Sequence, residues 1–276
     1  NNSEHFNFYV FFKKMILTFI ILGTLIAGIG SVLIAGFLTF GFLSKFKDYL
    51  LSFAAGTLLA TAFLNLLPEA FELTNNNHNL MAWLLAGLIL FFILNKVDLY
   101  HHGHEHGLVV NNNEEEVLST FHNKTSPNSW KILIIGDAVH AFGDGILIAS
   151  AFVADIRLGV LATISVLTHE IPHHIGDIAV VYQSTKSKFK SVKRVLYAGS
   201  FAVFGGIAGF SLVGLFEYTL PILLVLASSS FIYVSLADLI PQLQKKLQIK
   251  EILLQIFWLV SGITLIGLIT IFTSHH

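Results

Sequence analysis

Long apolar runs separated by short polar segments make up most of this chain. A helix needs about 20 apolar residues to cross a bilayer core of roughly 30 Å, and eight runs reach this length. Membrane β-barrels instead show alternating segments of about ten residues, a pattern absent from this sequence. Because lipid-embedded backbone is stable only in helices and closed barrels, the pattern predicts an all-α integral membrane protein with eight transmembrane helices. These spans lie at about 15–41, 49–71, 80–99, 131–154, 157–182, 195–216, 219–240 and 251–273.

Composition and the distribution of charge support this interpretation. Of the 276 residues, 54% are hydrophobic and 12% are charged, about half the charged fraction of a soluble domain. Thirteen of the sixteen Lys and Arg residues lie on one side of the predicted bilayer, and the exceptions are Lys13, Lys14 and Arg157. Because basic residues accumulate on the cytosolic side, both termini are expected outside the cytosol, in a plasma (cell inner) membrane. The net charge of −1 gives no reason to expect a nucleic-acid partner.

The fourth and fifth spans each carry ionisable side chains inside an apolar run. At 100° per residue, three such residues in each span fall on one face of a helix. The short link from Asp155 to Gly159 allows only an antiparallel hairpin, so the two polar faces are expected to meet. In this register His169 lies level with Asp144, His173 with His140, and Asp177 with Asp137.

Converging imidazoles and carboxylates are the ligands of a divalent-metal site. A buried charge costs about 2.5–3.5 kcal/mol on membrane-insertion scales and needs a partner, so packing alone is a poor explanation for this set. The chain has no cysteine, which leaves nitrogen and oxygen ligands that suit zinc, iron, manganese, cobalt or cadmium. Glu170 and His174 form a second polar stripe about 100° round the fifth helix.

A short phrase recurs in the second and seventh spans. It reads Asn65-Leu66-Leu67-Pro68-Glu69 and, later, Asp238-Leu239-Ile240-Pro241-Gln242. The two spans cross in opposite directions, so the phrase indicates inverted repeats of spans 1–3 and 6–8 around the hairpin of spans 4 and 5. Inverted repeats with broken helices are typical of transporters. Asn65 and Asp238 either line the metal route or form hydrogen bonds between helices.

Residues 100–129 offer little apolar surface and are predicted to form a cytosolic loop. Histidines beside a transport exit would capture released metal, and the alternative is a solvated loop that happens to be rich in histidine. The histidines are His101, His102, His104 and His106.

With these motifs, the chain resembles the ZIP (Zrt/Irt-like protein) family of divalent metal transporters. The family pattern H-N-x-x-D-G in the fourth span is met by His140-Ala141-Phe142-Gly143-Asp144-Gly145. The pattern H-E-x-P-H-E-x-G-D in the fifth is met by His169-Glu170-Ile171-Pro172-His173-His174-Ile175-Gly176-Asp177. The second-span phrase L-H-L-L-P-E-A corresponds to Leu64-Asn65-Leu66-Leu67-Pro68-Glu69-Ala70, and the likeness covers nearly the whole chain.

The resemblance implies a three-plus-two-plus-three helix arrangement, uptake of Zn²⁺ as transported substrate, and a homodimer. Ala141 stands where the family has a ligating Asn, and His174 where it has Glu, and both changes weaken a second metal site. Glu170 is the implied ligand of that second site. The implied ligands of the transported ion are His140, Asp144, His169 and His173.

The sequence therefore predicts a transporter, not an enzyme, that moves divalent ions into the cytoplasm, with zinc first and iron, manganese or cadmium as alternatives. The ion would leave past Asp137 and Asp177, one turn cytosolic of the site. A second interpretation is an intramembrane zinc metalloprotease, because His169-Glu170-Ile171-Pro172-His173 is an H-E-x-x-H pattern. Two further ligands on the fourth span would, however, leave no coordination position for water. A third is a membrane receptor or scaffold with structural zinc, which needs no polar path to either face.

Overall fold

Helices account for all regular structure in the part of the chain that is described. The structure is a computed structural model, and it describes residues 2–40, 47–74, 77–102, 129–244 and 248–274. No strand occurs within these ranges, so the predicted all-α class is confirmed for them. The α-helices are α1 (Asn2–Leu25), α2 (Ser31–Phe40), α3 (Lys47–Thr61), α4 (Leu67–Glu72), α5 (Asn77–His102), α6 (Ser129–Ala154), α7 (Ile156–Thr185), α8 (Lys188–Gly199), α9 (Phe201–Leu215), α10 (Leu220–Tyr233), α11 (Ile240–Leu243) and α12 (Ile249–Ser274).

Three π-helical turns join consecutive helices into longer rods. Ile26–Gly30 connects α1 to α2, Ala62–Leu66 connects α3 to α4, and Val234–Leu239 connects α10 to α11. In the second and third cases a proline follows the turn, and proline removes a backbone donor. A π-helical turn accommodates such a break and is frequent at functional sites. Both copies of the repeated phrase therefore begin in a π-helical turn, at Asn65 and Asp238, and continue into the α-helix that follows it.

Six helical segments of the described chain are long and apolar enough to cross a membrane. In α5 the apolar stretch is shorter, His78–Leu94. Helix α7 has 30 residues, but its histidines and acidic residues lower its hydropathy. The chain is thus a multi-pass membrane protein. The six segments are Val10–Phe40, Asp48–Glu72, Leu133–Ala154, Lys188–Leu215, Leu220–Leu243 and Ile249–Phe272.

Close backbone approaches hold these rods together. A Cβ on Gly28, between α1 and α2, would overlap the carbonyl oxygen of Gly199 at the end of α8, and a Cβ on Gly199 would crowd the carbonyl oxygen of Gly28. Gly56 of α3 and Gly262 of α12 approach each other's helix backbone in the same manner. Small residues allow such contact where no hydrophobic effect drives helices together in lipid.

The hairpin of α6 and α7 turns at a single residue. Asp155 has extended backbone and caps α7, since its Oδ1 accepts a hydrogen bond from the backbone N–H of Arg157 at 2.7 Å. The turn is tighter than the predicted link of five residues and makes the two helices antiparallel neighbours. Helix α7 continues through Pro172 as one α-helix. The polar faces of the two helices therefore meet along their length.

Candidate metal centre

Four side chains from the hairpin converge at one point. His140 and Asp144 come from α6, and His169 and Glu170 from α7. Each offers one ligand atom, and these atoms all lie within 4.8 Å of one another. The spacing of four residues in α6 puts both of its ligands on one face. We call these four residues the upper group.

The distances within the upper group fit a tetrahedral ion. The Nε2 atom of His169 lies 3.4 Å from Oδ2 of Asp144 and 3.2 Å from Oε1 of Glu170. The Nε2 atom of His140 lies 3.8 and 3.4 Å from the same two oxygens. Zinc binds nitrogen and oxygen at about 2.0–2.2 Å, so ligand atoms at the corners of a tetrahedron are roughly 3.3–3.6 Å apart. Small side-chain adjustments bring all four contacts into that range.

Three of the four side chains of the upper group are buried, the side chain of His140 is 37% exposed, and all four ligand atoms are buried without a hydrogen-bond partner in the described part of the chain. Asp144, His169 and Glu170 are at most 3% exposed. Among the described residues, no hydrogen-bond partner reaches Nε2 of either histidine, Oδ2 of Asp144 or Oε1 of Glu170. Buried polar atoms are normally paired because an unpaired one costs free energy. A cation at the centre of the group would satisfy all four atoms together.

The ring of His169 is oriented for metal binding. Its Nδ1 atom lies 3.1 Å from the carbonyl oxygen of Ser165, one turn earlier in α7. A carbonyl only accepts, so Nδ1 carries the proton and Nε2 keeps its lone pair. Such a hydrogen bond from the second ring nitrogen accompanies almost every histidine that binds a metal.

His173 lies beside the upper group and contacts a different helix. Its ring centroid is 6.1 Å from that of His140 and 5.9 Å from that of His169. Its Nε2 atom lies 3.1 Å from Oδ2 of Asp238, in the π-helical turn before α11. Gln242 donates a hydrogen bond to Oδ1 of the same carboxylate at 3.0 Å. Glu170 thus stands in the four-residue group where the resemblance implied His173.

A second set of candidate ligands lies about one helical turn away, towards the start of α6 and the end of α7. Asp137, His174 and Asp177 each offer one atom, and the three atoms lie within 4.8 Å of one another. We call these three residues the lower group. The Nε2 atom of His174 lies 3.5 Å from Oδ1 of Asp137 and 3.1 Å from Oε2 of Glu170. The two groups therefore adjoin at Glu170.

The remaining sequence candidates lie elsewhere. Asn65 accepts a hydrogen bond from Thr270 of α12 at 2.9 Å, so it links two helices and belongs to neither group. His101 and His102 end α5 and Ser129 begins α6, so the predicted loop of residues 100–129 was drawn too long at both ends. His104 and His106 lie outside the described residues. Sequence reasoning missed Ser31 and Ser165, which orient His174 and His169. The Ser165 contact uses backbone and leaves no signal in the sequence.

Comparison with known proteins shows the family to which the chain belongs. The family model for the ZIP zinc transporter matches residues 12–131 and 101–270. These matches cover most of the chain, which therefore belongs to the ZIP zinc transporter family. Members of this family are transporters and not enzymes.

Several individual relatives carry the same description. The zinc transporter ZIP13 homolog of Drosophila melanogaster is 27% identical over 84% of this chain and 79% of its own length. The zinc transporter ZIP13 of Pongo abelii is 28% identical over 82% of the chain and 67% of its own length. The zinc transporter ZIP10 of Danio rerio is 30% identical over 53% of the chain and 18% of its own length.

Proposed function

We propose that this protein carries divalent metal ions, zinc first, across a membrane into the cytoplasm, and that the upper group binds the transported ion. The observation that carries the proposal is the set of four buried ligand atoms without hydrogen bonds, spaced for one tetrahedral ion. Buried ionisable residues within a membrane helix are expensive and mark ion pathways. Here they sit on two facing helices.

Zinc is the favoured substrate for two reasons. Two imidazoles and two carboxylates are a ligand set that zinc accepts in tetrahedral geometry. The relatives described above are named zinc transporters. Iron, manganese and cadmium also accept nitrogen and oxygen ligands, so they are expected as weaker competitors.

The orientation follows from charge. Thirteen of the sixteen Lys and Arg residues fall on the side where α7 ends and α8 begins, which the positive-inside rule assigns to the cytosol. Both termini then lie outside, in a plasma (cell inner) membrane. In this orientation α7 enters from the outside at Asp155, so residues before His169 lie on the outer side of the upper group.

Hydrogen bonds between helices cross the outer side of the upper group, whereas side chains on its inner side are partly exposed. Release of the ion into the cytoplasm requires this difference. On the outer side, hydroxyl pairs connect α3 to α7: Thr61 Oγ1 to Ser165 Oγ at 2.6 Å, and Thr57 Oγ1 to Thr168 Oγ1 at 2.8 Å. On the inner side, the side chains of His173 and Asp238 are 30% and 35% exposed. An ion would leave along the inner side, past Asp137, Asp177 and Asp238.

Matched contacts support eight spans built as inverted repeats. When Asn65 is aligned with Asp238, Gly56 is aligned with Ser229. Gly56 packs on α12 of the eighth span, and Ser229 packs on Gly87 in α5 of the third span. The two contacts are therefore equivalent under an exchange of spans 1–3 with spans 6–8. We extend this to the three-plus-two-plus-three arrangement, and we further propose a homodimer. We also propose that the four histidines at the end of α5 and just beyond it receive the released ion.

The competing interpretations fit less well. In an H-E-x-x-H protease the glutamate activates a water held by zinc, yet Oε1 of Glu170 is itself 3.2 Å from Nε2 of His169, as a ligand would be. A structural-zinc scaffold has no use for the acidic side chains that continue along α6 and α7 beyond the upper group. A transporter uses Glu170 as a ligand and uses the further acidic side chains as a path for the ion.

Uptake of ⁶⁵Zn²⁺ into proteoliposomes tests the proposal. We expect Asp144→Asn and His169→Ala each to lower the uptake rate at least tenfold, because each removes one of four ligands. Asp155→Asn is the matched control: it replaces a carboxylate at the turn of the same hairpin and should leave uptake unchanged. Unimpaired uptake by both site variants would end the proposal.

A further inference from the structure

Helix α8 is rich in basic residues and begins a transmembrane segment. The segment Lys188–Leu215 has 28 residues, which is about 42 Å of helix, whereas the hydrocarbon core of a bilayer is about 30 Å thick. Residues 196–215 carry no charged side chain and are long enough to fill that core. Residues 188–195 therefore lie at the level of the lipid headgroups. They include all the basic residues of the segment, Lys188, Lys190, Lys193 and Arg194.

One face of α8 points away from the protein and combines cations with aromatic rings. Phe189, Lys193 and Tyr197 are four residues apart, so they follow one another along this face. Phe189 is 75% exposed, Tyr197 is 58% exposed, and Lys190 is exposed beside them. Nζ of Lys193 lies 5.8 Å from the centroid of the Tyr197 ring. The opposite face is buried through Ser191, Val195, Ala198 and Gly199. Basic amphipathic helices with exposed aromatic rings bind at the membrane surface.

Arg194 extends the basic surface from α8 to the start of α6. Its guanidinium carbon lies 3.5 Å from the centroid of the Trp130 ring, which is a stacked cation–π contact. Nζ of Lys131 lies 5.8 Å from the centroid of the same ring. Stacking uses the flat face of a guanidinium and leaves the N–H groups at its edge able to donate hydrogen bonds. Tryptophan is enriched at the headgroup level of membranes, which agrees with the position inferred for Arg194.

The cations of this surface have no acidic partner in the described part of the chain. No described carboxylate forms an ion pair with Lys131, Lys190, Lys193 or Arg194. Phosphate oxygens accept strong hydrogen bonds from guanidinium and ammonium groups. Because these side chains lie in the headgroup layer, the phosphates of the bilayer itself are the anions closest to them, and basic residues at this level attract anionic lipids.

We propose that Lys190, Lys193 and Arg194 of α8, together with Lys131 of α6, bind the headgroup of an anionic phospholipid. The phosphate accepts hydrogen bonds from the basic side chains, and the acyl chains extend into the bilayer past the exposed ring of Tyr197. The positive-inside rule places this lipid in the cytosolic leaflet. The site lies at the ends of α6 and α8, outside both groups of candidate metal ligands, and does not depend on which ion is transported.

Quenching of Trp130 fluorescence by brominated lipid tests the site locally. The chain has three tryptophans, so Trp83→Phe combined with Trp258→Phe leaves Trp130 as the reporter in the full-length protein. This protein is reconstituted in phosphatidylcholine bilayers that contain brominated phosphatidylglycerol or brominated phosphatidylcholine at the same mole fraction. We expect phosphatidylglycerol to be preferred beside Trp130 by at least about fivefold, which is the contribution of one basic residue near an anionic surface.

Paired variants of the reporter protein separate this site from a general attraction to anionic lipid. Lys190→Gln combined with Lys193→Gln should lower the preference several-fold, because two of the cations are lost. Lys13→Gln combined with Lys14→Gln is the matched control: it removes two cations at the opposite side of the membrane and should leave the preference unchanged. In about 1 M NaCl, where the Debye length is about 3 Å, the preference of the reporter protein should also fall.

Two results would overturn the lipid site. The first is equal quenching of Trp130 by the two lipids, or a preference that the Lys190→Gln and Lys193→Gln variant keeps in full. The second is a preference that appears only when Glu114→Gln, Glu115→Gln and Glu116→Gln are combined, since this acidic run of the chain would then be the occupant of the basic surface. The measurement uses no metal, so its outcome is independent of the proposed function.

Discussion

Oδ2 of Asp238 lies 3.1 Å from Nε2 of His173, and this contact joins α7 to the π-helical turn that follows α10. It is a direct polar link between the metal hairpin and the recurrent phrase of the seventh span. Asp238 is held in turn by Gln242, which donates to Oδ1 at 3.0 Å. The carboxylate thus has a fixed orientation beside the inner edge of the upper group.

Asp238→Asn removes this charge while keeping the size of the side chain. We expect ⁶⁵Zn²⁺ uptake at low zinc concentration to fall several-fold, because the ion loses an acidic group on its inward route and His173 loses its partner. Gln242→Ala keeps the carboxylate and should change uptake less than twofold. Equal uptake by the Asp238→Asn variant and the unmodified protein would show that Asp238 does not line the route of the ion.

Gly28→Ala tests the close approach of the first and sixth spans. The new methyl group would meet the carbonyl oxygen of Gly199, and overpacking of this kind typically costs about 1–3 kcal/mol. We expect a lower thermal unfolding midpoint in detergent. Gly30→Ala is the matched control, two residues along the same rod, where the nearest atom to a new Cβ is 4.0 Å away. Similar midpoints for the two variants would contradict the described packing.

Asp155, which caps α7 outside the membrane core, is predicted to contribute to the stability of the fold. Burial acts to raise the pKa of the Asp155 carboxyl, but hydrogen bonds from Arg157 lower it below the ordinary value. A lowered pKa in the folded state means that the cap stabilises the fold above about pH 4 and loses this effect at lower pH. At neutral pH, Asp155→Ala should lower stability by about 1 kcal/mol, whereas Asp155→Asn retains capping and should cost less. Equal unfolding midpoints for the two variants would contradict this role.

Protons should compete with the transported ion. Histidine binds a metal only in its neutral form, so metal binding weakens as pH falls. We expect the Kd for zinc at the hairpin to rise at least about tenfold when the pH is lowered from 7.5 to 5.5, because His140 and His169 must both be unprotonated to bind the ion. Titration of the purified protein with zinc at several pH values measures this. A Kd independent of pH would argue that imidazoles are not ligands.

Much of the fold followed from hydrophobic run length and the spacing of polar residues. Apolar runs predicted helices in most of the chain, and nearly all of the described residues are helical. The short link after α6 predicted an antiparallel hairpin with His169 beside Asp144, and the two ligand atoms are 3.4 Å apart. Run length could not reveal the π-helical turns, because apolar residues fill π- and α-helical turns alike, and a proline follows only two of the three turns.

The ligand set was harder to predict. Periodicity gives the angle of a side chain around its own helix, but it does not say which neighbouring helix covers each face. Glu170 was expected on a separate stripe, yet it reaches the upper group with Oε1 and His174 with Oε2. The ring of His174 turns towards Ser31, in the first span, which no motif connects to α7. Such contacts between distant segments arise only when the helices pack.

The central claim is that four side chains of one membrane hairpin hold the transported ion. A crystal structure of the zinc-loaded protein, with an anomalous difference map at the zinc edge, tests it most directly. We expect a peak about 2.0–2.2 Å from Nε2 of His140 and His169, Oδ2 of Asp144 and Oε1 of Glu170. A map with no peak between α6 and α7, or a zinc held by three protein ligands and a water with Glu170 directed at that water, would contradict it.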